Sequence, residues 1–445
     1  MKQIVILGIV VLALGAKWWE PRCPPCTEPV VCRGEPCFMG QRCHEVRGCL
    51  PRVVSEQSFS EDTRSLALAV TGQGGVALAG SFDQPTEAAQ GPDAAQSLVA
   101  RLAPGGEMKW SRSFGPDGHQ DRAEAIRIDA NGGVWIAGTF QGEELVDGGF
   151  RVAGSGGDDV YVMKLTAGGQ PLWIEAIGTA AEDRLLALEV GEEGNGYVVS
   201  DADPGEGFTL RRLRPNGGVA WTKQFPGAAP ALGLYLDDQL YLAATFSAPE
   251  IKVGWETLSL KEGDSTGVWL ARLDWDGDLV WVRSLDGDGR GGPRGIQDIA
   301  AMKDGDILLS GFGALPGFPD DRGDGRMFAA RLSPAGTPER ILRFGPPASS
   351  SAGVHVSLTP SSKDCIHVSG TFDGPFRWDG LRPRPDLDAG RFVGTLEADG
   401  SFGSVLVLPR TGPVRPMPAS RDDAGNLYMV IGGPEDGVRV LTLEP

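Results

Sequence analysis

Short hydrophobic runs alternate with glycine-containing turns along most of this chain, and one arrangement of the two occurs six times. In each copy a leucine ends a strand-like run and a glycine follows four residues later: Leu102 and Gly106, Leu165 and Gly169, Leu213 and Gly217, Leu273 and Gly277, Leu332 and Gly336, Leu396 and Gly400. The residue pairs at the turns are GG, GG, NG, DG, AG and DG, which supply the positive φ angles of a two-residue hairpin turn. The pattern therefore predicts six β-hairpins.

A second type of hairpin alternates with the first, and residues 125–140, AIRIDANGGVWIAGTF, are its clearest copy. Its second strand recurs at six other places, which begin at Gly75, Gly196, Leu240, Asp306, Ile366 and Leu427. Most copies lie about 60 residues apart, and repeats of this length with four strands and no helical periodicity are typical of propeller blades. The sequence therefore predicts an all-β fold, a seven-bladed β-propeller with four strands in each blade.

The two ends of the repeat region predict how the ring closes. The last residues, VRVLTLEP, match the first strand of the leucine–glycine hairpin and place Leu443 in the leucine column. The missing second strand stands at the other end of the region, as VVSEQSF at residues 53–59. We expect residues 53–59 to pair with residues 438–443, which would leave no exposed sheet edge between the first and last blades.

One hairpin, RLDWDGDLVW at residues 272–281, has the alternating aspartates of a calcium-binding loop: Asp274, Asp276 and Asp278. The other five copies lack these aspartates, and no glutamate follows at the position that would complete an EF-hand loop. We therefore interpret Asp276 and Gly277 as a hairpin turn and expect no calcium in this loop.

The repeat unit, DRAEAIRIDANGGVWIAGTFQG followed by VDGGFRVAGSGGDDVYVMKLTAGGQPLW, resembles the bacterial seven-bladed β-propeller (SBBP) repeat of exported proteins. The resemblance covers essentially residues 53–445 and is strong in blade two and weak in blades three and seven. The leucine–glycine–tryptophan hairpin is also similar to the repeats of quinoprotein dehydrogenases and of outer-membrane assembly propellers. The family implies a surface or secreted propeller. It carries no shared catalytic residues, so no active site is transferred.

The N-terminus predicts export. Lys2 precedes an uninterrupted run of apolar and small residues from Ile4 to Ala16, which is too short to span a bilayer and suits a signal peptide at residues 1–16. An uncleaved N-terminal anchor is the alternative. Residues 17–51 then form a cysteine-rich segment, in which we expect three disulfides: Cys23, Cys26, Cys32, Cys37, Cys43 and Cys49. Zinc bound by Cys23, Cys26 and His44 is the alternative to disulfides in this segment. The propeller itself is predicted to occupy residues 52–445.

The charge of the chain limits its partners. The formal net charge is −18, which argues against nucleic acid and against adsorption to anionic lipid. Many of the acids fall in the long loops between second and third strands, which lie on one face of the predicted propeller. Variable loops on a rigid scaffold are where binding commonly occurs, and carboxylates are the ligands that calcium prefers. The sequence therefore predicts a calcium site that draws on six aspartates: Asp158, Asp159, Asp264, Asp320, Asp321 and Asp324.

The remaining candidate residues point to structure rather than to catalysis. A tryptophan stands eight residues after four of the leucines, on the outer strands, where we expect packing between blades: Trp110, Trp173, Trp221 and Trp281. The four histidines do not form a recognisable set with other catalytic groups, and no G-x-S-x-G motif is present.

The sequence thus favours a non-enzymatic binding or scaffolding module at the cell surface or in the envelope, without a cofactor other than calcium. A protein or glycan is its expected partner, and it would contact the membrane only through an uncleaved N-terminal segment. It would reside in the periplasm, on the outer surface or outside the cell. Two alternatives stay open: an enzyme that uses the central channel, such as a quinoprotein-like dehydrogenase or a polysaccharide lyase, and a purely structural part of an envelope assembly.

Overall fold

The structure is a computed structural model that describes most of the propeller and short pieces of the segment before it. The described residues are 30–32, 35–37, 41–44, 48–51, 53–58, 63–83, 95–115, 121–146, 149–201, 207–235, 239–285, 295–302, 305–313, 315, 318, 327–344, 355–360, 366–373, 389–396, 402–409, 419–424, 426–433 and 437–443.

Five strands precede the first complete blade: β1 (Val30–Cys32), β2 (Glu35–Cys37), β3 (Gln41–His44), β4 (Gly48–Pro51) and β5 (Val53–Ser58). The first pair and the second pair form two short antiparallel hairpins. In the second hairpin the backbone of Cys43 lies opposite that of Cys49. The cysteine side chains of this segment lie outside the described residues, so its disulfides stay a prediction.

Blades one to three are consecutive four-stranded antiparallel sheets. Blade one contains β6 (Thr63–Val70), β7 (Val76–Asp83), β8 (Ala95–Leu102) and β9 (Met108–Phe114). Blade two contains β10 (Arg122–Ile128), β11 (Val134–Val146), β12 (Phe150–Leu165) and β13 (Pro171–Ile177). Blade three contains β14 (Leu185–Val190), β15 (Gly196–Asp201), β16 (Phe208–Leu213) and β17 (Val219–Phe225).

Blades four to six repeat the arrangement, and blade four has an added two-stranded hairpin. Blade four contains β18 (Ala228–Tyr235), β19 (Gln239–Phe246), β22 (Gly267–Leu273) and β23 (Leu279–Ser284), with the hairpin β20 (Glu250–Val253) and β21 (Glu256–Ser259). Blade five contains β24 (Gly295–Ala301), β25 (Ile307–Phe312), β26 (Met327–Leu332) and β27 (Pro338–Phe344). Blade six contains β28 (His355–Pro360), β29 (Ile366–Asp373), β30 (Ala389–Leu396) and β31 (Phe402–Pro409).

Blade seven joins strands from the two ends of the propeller. It contains β32 (Ala419–Arg421), β33 (Leu427–Gly433), β34 (Gly437–Leu443) and, as its outermost strand, β5. Strand β5 pairs antiparallel with β34, with Val53 opposite Leu443 and Ser58 opposite Arg439. The predicted all-β, seven-bladed propeller and its closure between terminal strands are therefore confirmed.

The core lies between the blades, because each sheet covers the apolar face of the next one. The middle strands carry almost entirely buried side chains; in β15, for example, Tyr197, Val198 and Val199 have no exposed surface. Such runs bury both faces of a sheet, which explains why the middle strands are continuously hydrophobic rather than alternating. No α-helix occurs among the described residues, and within them no helix is long and apolar enough to cross a membrane.

The outer-strand tryptophans contact the next blade along the chain through its hairpin glycine. The indole N–H of Trp173 donates to the Pro215 carbonyl at 2.9 Å, and the ring lies against Gly217, whose φ is +91°. A Cβ atom on that glycine would come within 2.9 Å of the ring. The same contact recurs at three other blade boundaries: Trp110 on Gly169, Trp221 on Gly277 and Trp281 on Gly336.

The loop at residues 272–281 has the geometry of a hairpin turn. The N–H of Asp274 donates to the Asp278 carbonyl at 2.9 Å, and Gly277 has a φ of +74°. The Asp274 carboxylate accepts the N–H groups of Asp276 and Asp278 at 3.0 and 2.9 Å. The Asp274 carboxylate therefore stabilises the turn itself, whereas the Asp278 carboxylate pairs with Lys223 at 2.6 Å.

Candidate functional site

The first strand of each blade lies nearest the propeller axis, and these seven strands form the wall of the central channel. Each inner strand contacts the inner strands of the neighbouring blades, from β6 and β10 round to β32 and back to β6. Each is also the edge strand of its own sheet. A side chain on an inner strand can therefore reach the channel.

An arginine and a glutamate from adjacent blades form an ion pair on this wall. Arg127 of β10 donates through Nε to Glu189 Oε2 at 3.0 Å and through Nη2 to Oε1 at 2.5 Å, so the pair is bidentate. The Arg127 side chain is 38% exposed and that of Glu189 is 23% exposed. Burial opposes charge on Arg127, but Glu189 raises the pKa of the guanidinium above its ordinary value. Arg127 is therefore charged at neutral pH, and both side chains remain in contact with channel water.

A third titratable group, Asp298 of β24, faces the same region from blade five. Its Oδ1 accepts the N–H of Ile299 at 2.8 Å and its Oδ2 accepts the N–H of Leu358, in the next blade, at 2.7 Å. Burial raises the pKa of Asp298 to about 7, because these two hydrogen bonds offset the loss of hydration only in part. Glu189 raises this pKa further and Arg127 lowers it.

The three side chains form one electrostatic group across the channel, which we call the channel triad: Arg127, Glu189 and Asp298. Blades three and four separate Arg127 from Asp298 along the ring, so an electrostatic interaction between them extends across the central space. A carboxyl group that titrates near neutrality can both donate and accept a proton at physiological pH. The triad therefore combines a cationic guanidinium, the carboxyl group that it contacts and an acid–base group.

A bulge in the inner strands places another carboxyl group at the loop-bearing end of the channel. The strand register shifts between Ala123 and Ala125, and the extra residue there is Glu124. Its side chain is open to water but enclosed by protein on most sides, and this enclosure raises the pKa of Glu124. Equivalent shifts occur in four more inner strands: β6, β14, β18 and β24. Bulges of this kind often redirect side chains near functional sites.

The structure describes three of the six aspartates predicted for calcium, and they lie in two different blades. Asp158 accepts a hydrogen bond from the Gln141 side chain, and Asp159 is fully buried and accepts the N–H of Ser155 at 2.7 Å. Asp264 lies in another blade, after the β20–β21 hairpin. The other three predicted ligands lie outside the described residues: Asp320, Asp321 and Asp324. Among the described residues, no group of three or more His, Cys, Asp or Glu is arranged to hold a metal, so calcium binding stays a prediction.

Several loop-face carboxylates serve the backbone of the links between blades. Asp183 accepts the N–H of Thr179 at 2.7 Å, and its own N–H donates to the Asp158 carbonyl at 2.6 Å. Buried Asp121 accepts the N–H of Gln141 at 3.3 Å. These carboxylates therefore accept hydrogen bonds from the backbone of the links and are not free loop charges.

The histidine that the structure describes is not placed for proton transfer at neutral pH. His367 of β29 is buried, and burial lowers its pKa to about 3, with a smaller contribution from Arg421. The side chains of His44, His119 and His355 lie outside the described residues. Histidine acid–base chemistry therefore has no support in the described channel wall.

Sequence reasoning missed the channel triad, although a signal for two of its members was present. Arg127 and Glu189 occupy one column of the inner strands, paired with Trp135 and Tyr197. In the other blades this column holds small residues: Ala69, Gly233, Ala300, Thr359 and Ser420. Two charged residues at a position that is small in the other blades could have marked Arg127 and Glu189 as candidate functional residues. Their approach to Asp298 depends on ring closure and was not visible in any single repeat.

No family model and no curated protein matches this chain. Among solved structures, a puromycin hydrolase variant in complex with PGG has a TM-score of 0.50 at 17% identity, over 86% of this chain and 52% of that one. Polysaccharide lyase Uly1 has a TM-score of 0.49 at 10% identity, over 88% and 99%. A protein of unknown function from Dyadobacter fermentans DSM 18053 has a TM-score of 0.41 at 13% identity, over 88% and 98%.

These likenesses concern the fold alone, and this chain spans about half the length of the puromycin hydrolase chain. They nevertheless correct one expectation. The prediction that the chain is not an enzyme is wrong, because it treated a propeller without recognisable catalytic motifs as a binding module. A similar fold occurs in an enzyme, and here an acid–base group with a pKa of about 7 lies in the channel region.

Proposed function

We propose that this chain is an exported propeller enzyme that binds a polar substrate in its central channel and acts on it by proton transfer. The observation that carries the proposal is the channel triad, in which charged side chains from blades two, three and five converge on one space. Titratable groups with shifted pKa values in a concave site are typical of active sites.

In this proposal Asp298 is the catalytic acid–base group. With a pKa of about 7, both of its protonation states are populated at neutral pH. It can then take a proton from one substrate oxygen or carbon and return it to a leaving group, the work of a general acid–base catalyst. The N–H groups of Ile299 and Leu358 fix the carboxyl group in position.

Arg127 and Glu189 orient the substrate. Their bidentate contact holds the guanidinium rigid, and its partial exposure leaves a face for an anionic or hydroxyl group of the substrate. Burial is the main cause of the raised pKa of Asp298, and the pair adjusts it, since Glu189 raises it and Arg127 lowers it. Loss of either member of the pair should therefore shift the pH dependence of turnover as well as substrate affinity.

The substrate class is a glycan or a peptide met outside the cytoplasm. The signal-like N-terminus, the clustered cysteines and the resemblance to the SBBP repeat support an exported chain. The charge of −18 disfavours nucleic acid. Hydrolysis and elimination are the reactions that one acid–base carboxyl group with an adjacent cation can serve.

The test is turnover of the purified protein on panels of polysaccharides and peptides across pH 5 to 9. We expect a rate profile that inflects near pH 7 and a fall in kcat of about a hundredfold or more in Asp298→Asn. Asp274→Asn is the matched control, since that carboxylate caps an exposed hairpin turn and should leave kcat unchanged. Turnover that is equally fast in wild type and in Asp298→Asn would disprove the proposed role.

A further inference from the structure

The third strand of five blades carries a basic residue directly before the leucine of the leucine–glycine hairpin, at the end of the strand where the tight hairpin turns lie. These five residues, which we call the basic column, are Arg101, Lys164, Arg212, Arg272 and Arg331. Each lies opposite an outer-strand residue of its own sheet; Arg101, for example, lies opposite Trp110. A cation held against the protein in this way needs an acceptor, because burial without one is costly.

Four members of the basic column have an acceptor in the protein. Lys164 forms an ion pair with Asp129 at 2.9 Å, Arg331 forms one with Asp306, Arg272 donates to the Gln239 side chain, and Arg212 donates to the Trp275 carbonyl at 3.1 Å. In blades two, four and five the acceptor comes from the first hairpin of the same blade. Its source is either the residue just after the inner strand, as with Asp129, or the residue just before the hydrophobic run of the second strand, as with Asp306 and Gln239.

Blade one lacks an acceptor at both of these positions. Thr71 stands where blade two has Asp129, and Gly75 stands where blade five has Asp306. The Thr71 hydroxyl accepts the N–H of Gly75 at 2.9 Å and so keeps the turn without supplying a negative charge. Arg101 is only 8% exposed, and its Nη1 has no hydrogen-bond partner among the described residues. Burial lowers the pKa of Arg101, and no described carboxylate opposes that shift.

The unpaired guanidinium lines a cavity of about 600 Å³ on the tight-turn face of the propeller. The cavity lies between the first hairpins of blades one and two, beside the turn of blade seven. Its polar lining includes Thr71, Gln73, Arg101, Lys109, Asn131 and Asp423. A cavity of this size holds a small organic ligand.

The charges around the cavity leave the basic side in excess. Asp129 also lines it, but Lys164 and the N–H groups of Asn131 and Gly133 already engage this carboxylate. Asp423 is the other acid, held beside the cavity by its N–H, which donates to the Gly72 carbonyl at 2.9 Å. Arg101 and Lys109 therefore leave positive charge available to an anionic group, and Asp423 can accept hydrogen bonds from hydroxyl groups.

We propose that this cavity binds the oxyanion of a small hydroxylated acid, with a carboxylate or sulfate group at Arg101 and hydroxyl groups at Asp423. The ligand anion supplies to blade one the negative charge that Asp129 supplies to blade two. The site lies outside the channel triad, and this inference goes beyond the proposed function because binding here requires no turnover.

The first test measures binding to the full chain by titration calorimetry at constant ionic strength. Sodium sulfate probes the bare oxyanion, sodium glucuronate adds hydroxyl groups to a carboxylate, and glucose is the neutral control. We expect glucuronate to bind, sulfate to bind more weakly and glucose not to bind. In Arg101→Gln the affinity for glucuronate should fall by about tenfold or more, because a hydrogen bond to a charged group is lost.

The control for that variant is Arg272→Gln, which changes the same column in a blade whose cation already has an acceptor. Its affinity for glucuronate should equal that of wild type. An unchanged affinity in Arg101→Gln, or a wild-type chain that binds neither anion, would overturn the proposal.

A second variant keeps the test decisive if Arg101→Gln does not fold. Thr71→Asp gives blade one the residue that blade two has, and an aspartate can accept the turn N–H as Asp129 accepts that of Gly133 at 2.8 Å. We expect this built-in carboxylate to pair with Arg101, raise the thermal midpoint without ligand and abolish binding of both anions. Anion binding that persists at wild-type affinity in Thr71→Asp would show that the ligand does not use Arg101.

Discussion

At the scale of single residues, the same position acquires different chemistry according to what the neighbouring blade offers. A column that holds alanine or glycine in some blades holds Arg127 and Glu189 in two adjacent ones, and the pair forms because the two blades are neighbours. Asp298 is likewise defined by its surroundings, since its second hydrogen bond comes from Leu358 in the next blade. The repeated fold thus fixes where the inner-strand side chains lie, and the residue types that differ between blades decide which of them carry charge.

The shifted pKa of Asp298 predicts how stability varies with pH. The folded state holds its proton up to a pKa of about 7, whereas the unfolded chain loses it near 3.8. Stability from this group is therefore fully present below about pH 4 and is lost as pH rises to 7, because the folded state binds the extra proton in that range. Asn cannot titrate, so Asp298→Asn should be less sensitive to pH.

Denaturant unfolding at pH 5 and pH 8 measures this effect. The free energy of unfolding of wild type minus that of Asp298→Asn should be smaller at pH 8 than at pH 5, by on the order of 2 kcal/mol. Asp274→Asn again provides the comparison at an exposed turn. A difference between wild type and Asp298→Asn that stays constant across this range would contradict a raised pKa at Asp298.

At the scale of elements, the unit that joins one blade to the next is a tryptophan on a hairpin glycine. The glycine has positive φ, which an L-residue adopts only at a cost, and its missing Cβ leaves room for the indole ring. The indole N–H meanwhile donates to a carbonyl of the same turn, as Trp173 does to Pro215. The hairpin glycine therefore allows its own turn to form and also provides the contact for the tryptophan of the preceding blade.

Two contributions at this contact can be separated by alanine substitutions. Gly217→Ala meets both the φ of +91° and the Trp173 ring, and we expect a loss of about 3 kcal/mol in the free energy of unfolding. Gly149→Ala meets a φ of +85° with nothing within 4 Å, so it should lose only about 1 kcal/mol. Gly105→Ala meets neither constraint and should change stability by less than about 0.5 kcal/mol.

Chemical denaturation of the three variants gives this ranking directly. Equal losses in Gly217→Ala and Gly149→Ala would mean that the ring contact contributes nothing and that backbone conformation alone matters.

The hairpins were predictable from sequence because their determinants are local. Turn pairs such as NG and DG specify positive φ within two residues, and the leucine column follows directly from them. The channel triad was not predictable, since its members lie in three blades and meet only after the ring forms. The absence of an acceptor for Arg101 was partly predictable from sequence. The sequence shows Thr71 in place of an aspartate, but its meaning becomes visible only when the Lys164–Asp129 pair is known.

At the scale of the whole molecule, the ring depends on one strand that comes from the other end of the propeller. Strand β5 completes blade seven by pairing with β34, and without it β34 would be an open sheet edge. Open edges pair with other chains and promote association. Strand β5 therefore completes the last blade and also covers the edge of β34, which would otherwise be open to self-association.

Two truncations test the role of this strand. Deletion of residues 1–58 removes β5, whereas deletion of residues 1–51 removes only what precedes it. The longer deletion should lower the thermal midpoint by roughly 5 °C or more relative to the shorter one and cause concentration-dependent association. Differential scanning fluorimetry and light scattering measure both effects. A monomeric 1–58 deletion with an unchanged midpoint would show that the ring does not need β5.

The pairing of β5 with β34 also constrains the order in which this protein can fold. Blades one to six each draw their four strands from one continuous stretch of chain, so their contacts are local and their loop-closure entropy is small. Residues 53–58 are synthesised before every other strand of the propeller, yet their partner, residues 437–443, lies at the far end of the repeat region. This most distant contact carries the largest entropic cost and forms slowly. We therefore expect the ring to close last, with blade seven holding three strands and an open edge until then.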